Sequence, residues 1–256
     1  MPKIVRNLIG LAGFFAIWEG AVKLGLVAEH SLPPPHVVAA RLVDLVRDAG
    51  FQRDLIASVL AWTIAMPIAI AIAVPAGLLL GSIPGLRVAT RAIVEFLRPI
   101  PSVALIPAAL IAIGTGPETK IAFAVYASVW PILFNTVYAI DEIDPLLVDT
   151  AKSFGVGRLR TMGRVALPYA APFIFTGIRL SAAISLIVII TVEYLGGGAG
   201  IGIGTFTLAA TEGAGRMDLV LAATVIAGAI GFLINDGLER LGLYWFRWST
   251  AVEGKA

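Results

Sequence analysis

The stretch DTAKSFGVGRLRTMGRVALP, residues 149–168, carries five charged residues between two long apolar runs. Its local signals spell a shaped element instead of a plain loop. Asp144 can cap a helix whose first residue is Pro145, where proline's missing N–H costs nothing. That helix can run to Phe154, after which Gly155 is free to take the left-handed conformation that ends it. Leu147, Ala151 and Phe154 share one helical face, and Asp149, Lys152 and Ser153 share another. A second short helix then sets Arg160 and Arg164 four residues apart, with Leu159, Met162 and Ala166 on the other side, before Pro168 opens the next apolar run. The pattern predicts two short helices joined by a sharp turn.

The surroundings say where this element sits. Of 256 residues, 58% are hydrophobic and 14% charged, against about 25% charged in an ordinary soluble domain. Uncharged blocks cover residues 55–86, 99–117, 121–140 and 219–235. A bilayer core of about 30 Å needs roughly 20 apolar residues per helix, so each block can span. Two further runs are interrupted by charge: one over 4–22 with Arg6 and Glu19, one over 168–192 with Arg179. Too few polar residues remain to coat a soluble helical protein, and the apolar runs are continuous where a β-barrel would alternate.

The expected fold class is therefore an all-α membrane protein in a single domain of six transmembrane helices, over about 4–24, 55–81, 92–113, 119–140, 168–193 and 218–237. The first of these reads as an uncleaved helix, since no small-residue cleavage site precedes Glu19 and Lys23. Between the first two spans, LPPP is followed over 36–49 by Val38, Leu42, Leu45 and Ala49 at helical spacing, with Arg41, Asp44 and Asp48 on another face. That pattern predicts an amphipathic helix at the outer membrane surface. With both termini inside, eleven Lys or Arg residues lie on the cytoplasmic side and six outside, Lys120 among the six, the bias expected of a multi-pass inner-membrane protein. The 149–168 element then lies in the cytoplasm.

A basic cytoplasmic loop could simply fix topology and attract anionic lipid headgroups, but that leaves the shape unexplained. The spacing resembles the cytoplasmic signature of inner-membrane permeases of binding-protein-dependent ABC importers: Glu-Ala-Ala, three residues, Gly, nine residues, then Ile-x-Leu-Pro. Here the order is Asp149-Thr150-Ala151, three residues, Gly155, nine residues, then Val165-Ala166-Leu167-Pro168. Asp149 stands for Glu and Thr150 for the first Ala. LPPP, LRPIPSVALIP at 97–107, TGIRLSAA at 176–183 and VEYLGG at 192–197 are similar to the nitrate, sulfonate and taurine branch.

The resemblance implies a type I ABC importer permease fold with coupling helices at 145–166. It implies that Asp149, Thr150, Ala151, Lys152, Ser153, Phe154 and Gly155 contact a cytoplasmic ATPase. The partners it implies are a second copy of the permease, two cytoplasmic ATP-binding subunits, an extracytoplasmic solute-binding protein and membrane lipid, with no nucleic acid. No cofactor is expected in this chain, ATP and Mg residing on the partner ATPase. The residues agree on that point: the sole Gly-Lys pair, Gly254-Lys255, is followed by Ala256, so a phosphate-binding loop is lacking. The glycine-rich GGGAGIGIG at 196–204 has no frame matching a dinucleotide fingerprint and reads as an outer loop or re-entrant turn.

Ionisable and polar residues at membrane depth face protein or water. Pathway or gate candidates are Arg98, Asn135, Arg179 and Glu193. Glu95 and Arg98, three apart, can instead pair on one face; Arg179 can brace helices or line a pathway; Asn135 can bond between helices; Glu193 lies beside the glycine-rich turn. His30 and His36 stand apart in an outer loop and are expected to be solvated, cysteine is absent, and no metal or catalytic cluster is expected. The reading of another class is an ion-gradient-driven secondary transporter of a small solute, working through Glu95, Glu193 or Arg179.

Overall fold

The computed structural model describes residues 3–97, 100–196 and 200–248. Every regular element in them is helical, and five helices are long and apolar enough to cross a membrane. In chain order these elements are α1 (Lys3–Lys23), α2 (Pro35–Arg47), α3 (Ala49–Ser82), α4 (Pro84–Leu97), α5 (Ser102–Ile113), α6 (Pro117–Asp141), α7 (Pro145–Ser153), α8 (Arg158–Thr161), a π-helical turn at Met162–Ala166, α9 (Leu167–Leu195), α10 (Ile203–Ala214) and α11 (Met217–Trp245).

One expected span is built differently. The run over 92–113 is not a single helix but is divided between α4 and α5. Pro101 supplies a reason for the break, because it disfavours helical backbone at Ile100 before it and lacks the N–H that would continue the ladder. At 12 residues α5 is about 18 Å long, short of the bilayer core. By contrast Pro67 and Pro75 are absorbed inside α3, Pro131 inside α6 and Pro172 inside α9.

α3, α6 and α9 form the core, α3 running parallel to α6 and α9 antiparallel to it. Small residues let these backbones approach, the usual way membrane helices gain packing without a hydrophobic drive between them. A Cβ on Gly77 would lie 2.5 Å from Thr136 Cβ, and one on Gly177 would lie 2.7 Å from Asn135 Cβ and 2.9 Å from the Pro131 carbonyl oxygen. Where α6 meets α9, Ser181 Oγ donates to the Ser128 carbonyl at 2.7 Å, and Trp62 of α3 donates through Nε1 to the Ala182 carbonyl at 2.9 Å.

The amphipathic α2 turns Val38 and Leu45 inward, against Phe51, Ile203, Ala222 and Ala223, and so bolts the N-terminal ends of α3, α10 and α11 together. Arg41 fastens the same corner, its Nε donating to Asp218 on α11 at 2.9 Å while Nη1 pairs with Asp44. Those carboxylates hold the Arg41 guanidinium above its ordinary pKa, Asp44 first. His36 is not merely solvated: its Nδ1 lies 3.0 Å from Glu19 Oε1, tying α2 to α1.

Candidate functional site

At one end of the core lies the 149–168 element. Asp144 accepts the Leu146 N–H at 2.9 Å and Pro145 occupies the first turn. At the far end Gly155 has φ +70, its N–H bonds the Lys152 carbonyl at 2.8 Å, and the Val156 N–H reaches back to Ala151 at 3.0 Å. This is a Schellman stop, which only a residue tolerant of the left-handed region makes without strain. Lys152 pairs with Asp149 at 2.9 Å and Ser153 Oγ bonds the Asp149 carbonyl at 3.0 Å, both within one turn. Ala151 is buried, whereas Phe154 at the end of the helix is 82% exposed and Leu146 at its start is exposed too. Thr150 lies on the exposed side as well. A helix closed at both ends thus presents bare apolar side chains to its surroundings.

The expected second helix takes an unforeseen form. α8 is a single turn that passes through five π-helical residues into α9, with the Leu167 N–H on the Met162 carbonyl. Pro168 supplies a reason: it has no N–H for the Arg164 carbonyl and its ring would strike that group in α register, so a wider turn relieves both. α8 and α9 are consequently joined by unbroken helical backbone, while the Gly155 turn sets α7 off from them.

At the opposite end of the core Glu193 is buried, its side chain 2% exposed. Lys120 Nζ of α6, 8% exposed, meets its carboxylate at 2.6 Å and also donates to the Ile201 carbonyl at 2.8 Å. Ser58 Oγ of α3 lies 2.9 and 2.8 Å from the two carboxylate oxygens, and the Gly204 N–H at the start of α10 donates to Oε2 at 3.1 Å. Ser58 in turn accepts the Ile203 N–H at 3.0 Å, and Asp54 accepts that of Gly202 at 3.1 Å. Four helices therefore converge on one carboxylate, beside a cavity of about 340 Å³ walled by Leu60, Ile64, Thr115, Lys120, Glu193 and Thr205.

The other singled-out residues are scattered. Arg179 of α9 is half-buried and donates to Glu239 of α11 at 2.8 Å, with Asn235 Oδ1 at 3.4 Å, so it bridges two helices at the wall of a larger groove near Arg164 and Trp248. Asn135 donates within its own helix, to the Pro131 carbonyl at 2.8 Å, and not between helices. Arg98 and the expected Glu95–Arg98 pair fall outside the described residues. Among the described residues there is no group of three metal-ligating side chains.

Residues 73–240, most of the core together with the 145–166 segment, match the family described as binding-protein-dependent transport system inner membrane component. The chain belongs to that family. It is similar along nearly its whole length to the taurine transport system permease protein TauC of Escherichia coli, at 27% identity covering 98% of this chain and 92% of that protein. The bicarbonate transport system permease protein CmpB of Synechococcus elongatus is 30% identical, covering 97% and 90%, and the nitrate import permease protein NrtB of Leptolyngbya laminosa 28%, covering 91% and 86%. The fold is shared with a bacterial ABC transporter involved in the import of the acidic polysaccharide alginate (TM-score 0.63, 18% identity, covering 93% of this chain and 94% of that one). It is shared too with the MetNI methionine ABC transporter in inward-facing conformations (TM-score 0.59, 22% identity, 73% and 91%).

The permease is thus a multi-pass inner-membrane subunit of a binding-protein-dependent ABC importer of small solutes, without ATPase activity of its own. Its partners in general are ATPase subunits and a binding protein. Sequence reasoning placed Glu193 beside the turn but missed Lys120, Ser58 and Asp54. A signal existed for one of them: Lys120 is a lone cation between the uncharged blocks 99–117 and 121–140.

Proposed function

We propose that this permease carries a small solute inward by alternating access, an organic or inorganic oxyanion such as a sulfonate or nitrate, driven through α7 by a separate ATPase that holds ATP and Mg. Two copies of the chain enclose the pathway, with the end of α4 and α5 together making a sixth crossing over 92–113 and both termini in the cytoplasm. Asp149 to Gly155 dock on the ATPase, and closure of the ATPase pair drags α7, which pulls through the Gly155 turn on α8 and the helix continuous with it, rocking the core between inward-open and outward-open states. One observation carries the reading: α7 is capped and paired internally at both ends, yet leaves Phe154 and Leu146 bare, as a peg meant for a socket would. The solute class draws support from the likeness to taurine, nitrate and bicarbonate permeases.

The test is reconstitution of the permease with its ATPase and binding protein in vesicles. Uptake should require ATP and should vanish in Phe154→Asp, whose ATPase subunit no longer copurifies. Uptake by the chain alone down a proton or sodium gradient would overturn the proposal in favour of a secondary transporter.

A further inference from the structure

The polar node at the outer end holds more than a stabilising pair would need. Burying a lysine and a glutamate together contributes little net stability, because desolvation offsets the attraction; what such a pair fixes is geometry. Here nearly everything it touches is the backbone of one turn. From Ile201 to Gly204, each residue has a main-chain group bonded to a side chain from the core: Ile201 to Lys120, Gly202 to Asp54, Ile203 to Ser58 and Gly204 to Glu193. The donors and acceptors come from α3, α6 and α9, the three helices that pack tightest.

Sterics point the same way. A Cβ on Gly202 would run into the Glu193 carboxyl group, and one on Gly204 would strike the Ile190 carbonyl and lie 2.7 Å from Glu193 Cβ and the Tyr194 nitrogen. The turn is therefore pressed onto the carboxylate without space between them. Glu193 also lies at the N-terminal end of α10, where exposed N–H groups favour a negative acceptor.

We propose that Glu193 is the positioning residue of the outer turn: its carboxylate, with Ser58 and Lys120, fastens Ile201–Gly204 and α10 to the α3–α6–α9 core so that they move with it as one body. The adjoining 340 Å³ cavity then keeps a fixed wall through the cycle. The role of the charge is to be neutralised by Lys120 within the protein; it neither carries an ion nor holds solute. This inference rests on the alternating-access reading only for its transport readout.

The natural chain has no cysteine, so Ala210→Cys, at a buried position on α10, gives a thiol whose labelling by a membrane-impermeant maleimide reports lifting of that helix. Labelling, uptake and ATP hydrolysis are measured in the reconstituted complex. Glu193→Gln with Lys120→Met removes both charges and the Lys120 bond to Ile201 but keeps an oxygen acceptor for Gly204 and Ser58, and should label at a rate between that of the parent and that of the alanine pair below while retaining most of the uptake. Glu193→Ala with Lys120→Met removes the acceptor, and should speed labelling and lower uptake by about tenfold or more while hydrolysis continues. Should that pair fail to assemble, Ser58→Ala alone should raise labelling by a smaller factor. Parental labelling in both Glu193→Ala with Lys120→Met and Ser58→Ala would overturn the proposal. So would lost uptake with unchanged labelling in the Gln–Met pair, which would assign the charges to solute or ion. Uptake by the parent complex without ATP would sink the ATPase-driven reading and leave the labelling comparison standing.

Discussion

The two ends of the core are built on opposite principles. At the α7 end, the bonds that cap and brace the helix join residues a few positions apart: Asp144 to Leu146, Asp149 to Lys152, Ala151 to Val156. At the outer end, Glu193 meets Ser58 across 135 positions and Lys120 across 73. The first is a prefabricated part with a bare apolar face, the second a knot that exists only when four helices have assembled. Under the proposed function the first would grip a separate subunit, which calls for local rigidity and unspent surface, whereas buried charges such as those of the second need their polar groups mutually satisfied.

The largest effect that would test this contrast is on the outer knot. Glu193→Ala alone leaves Lys120 buried without its partner, a loss of about 3–5 kcal/mol, visible as a lowered unfolding temperature of the detergent-solubilised protein. A thermal midpoint equal to the parent's would show that the knot is slack. Next comes Gly204→Ala, whose methyl must push α10 off α9; overpacking of this kind costs about 1–3 kcal/mol, and the same melting experiment should order it below Glu193→Ala.

At the coupling end the penalties become local. Gly155→Ala forces a side chain into left-handed backbone, about 1–2 kcal/mol, which should fray the end of α7 without moving the global midpoint. Hydrogen exchange of the Gly155 and Val156 amides is the measurement, and a cooperative loss of stability there would erase the distinction between the two ends. Smallest of all is Phe154→Asp, which should change unfolding by no more than about 0.5 kcal/mol because the ring has little to lose in the isolated subunit, even as retention of the ATPase disappears.

The same division explains what could be read in advance. Helix-scale apolar runs, the Asp-Pro start and the glycine stop of α7 act within a few residues, so the all-helical membrane class and the shape of residues 145–155 were legible. The split of 92–113 was foreshadowed by its prolines yet misjudged, because Pro67, Pro75, Pro131 and Pro172 look alike in sequence and are tolerated inside packed helices. Asn135 and Arg179 announced themselves as polar groups at membrane depth, but whether each bonded its own helix, a neighbour or a pathway depended on packing that spacing does not encode.

By itself, then, the sequence determined everything whose physics is short-ranged or additive: solubility in lipid, helix content, the cap and stop of the coupling segment, and the signature spacing that marks the family. Only the tertiary structure decided that Lys120, Glu193, Ser58 and Asp54 share one site, and that glycines 202 and 204 are there to let a carboxylate touch backbone. A buried charge must find its partner in three dimensions, and the chain distance between the two carries no record of the meeting.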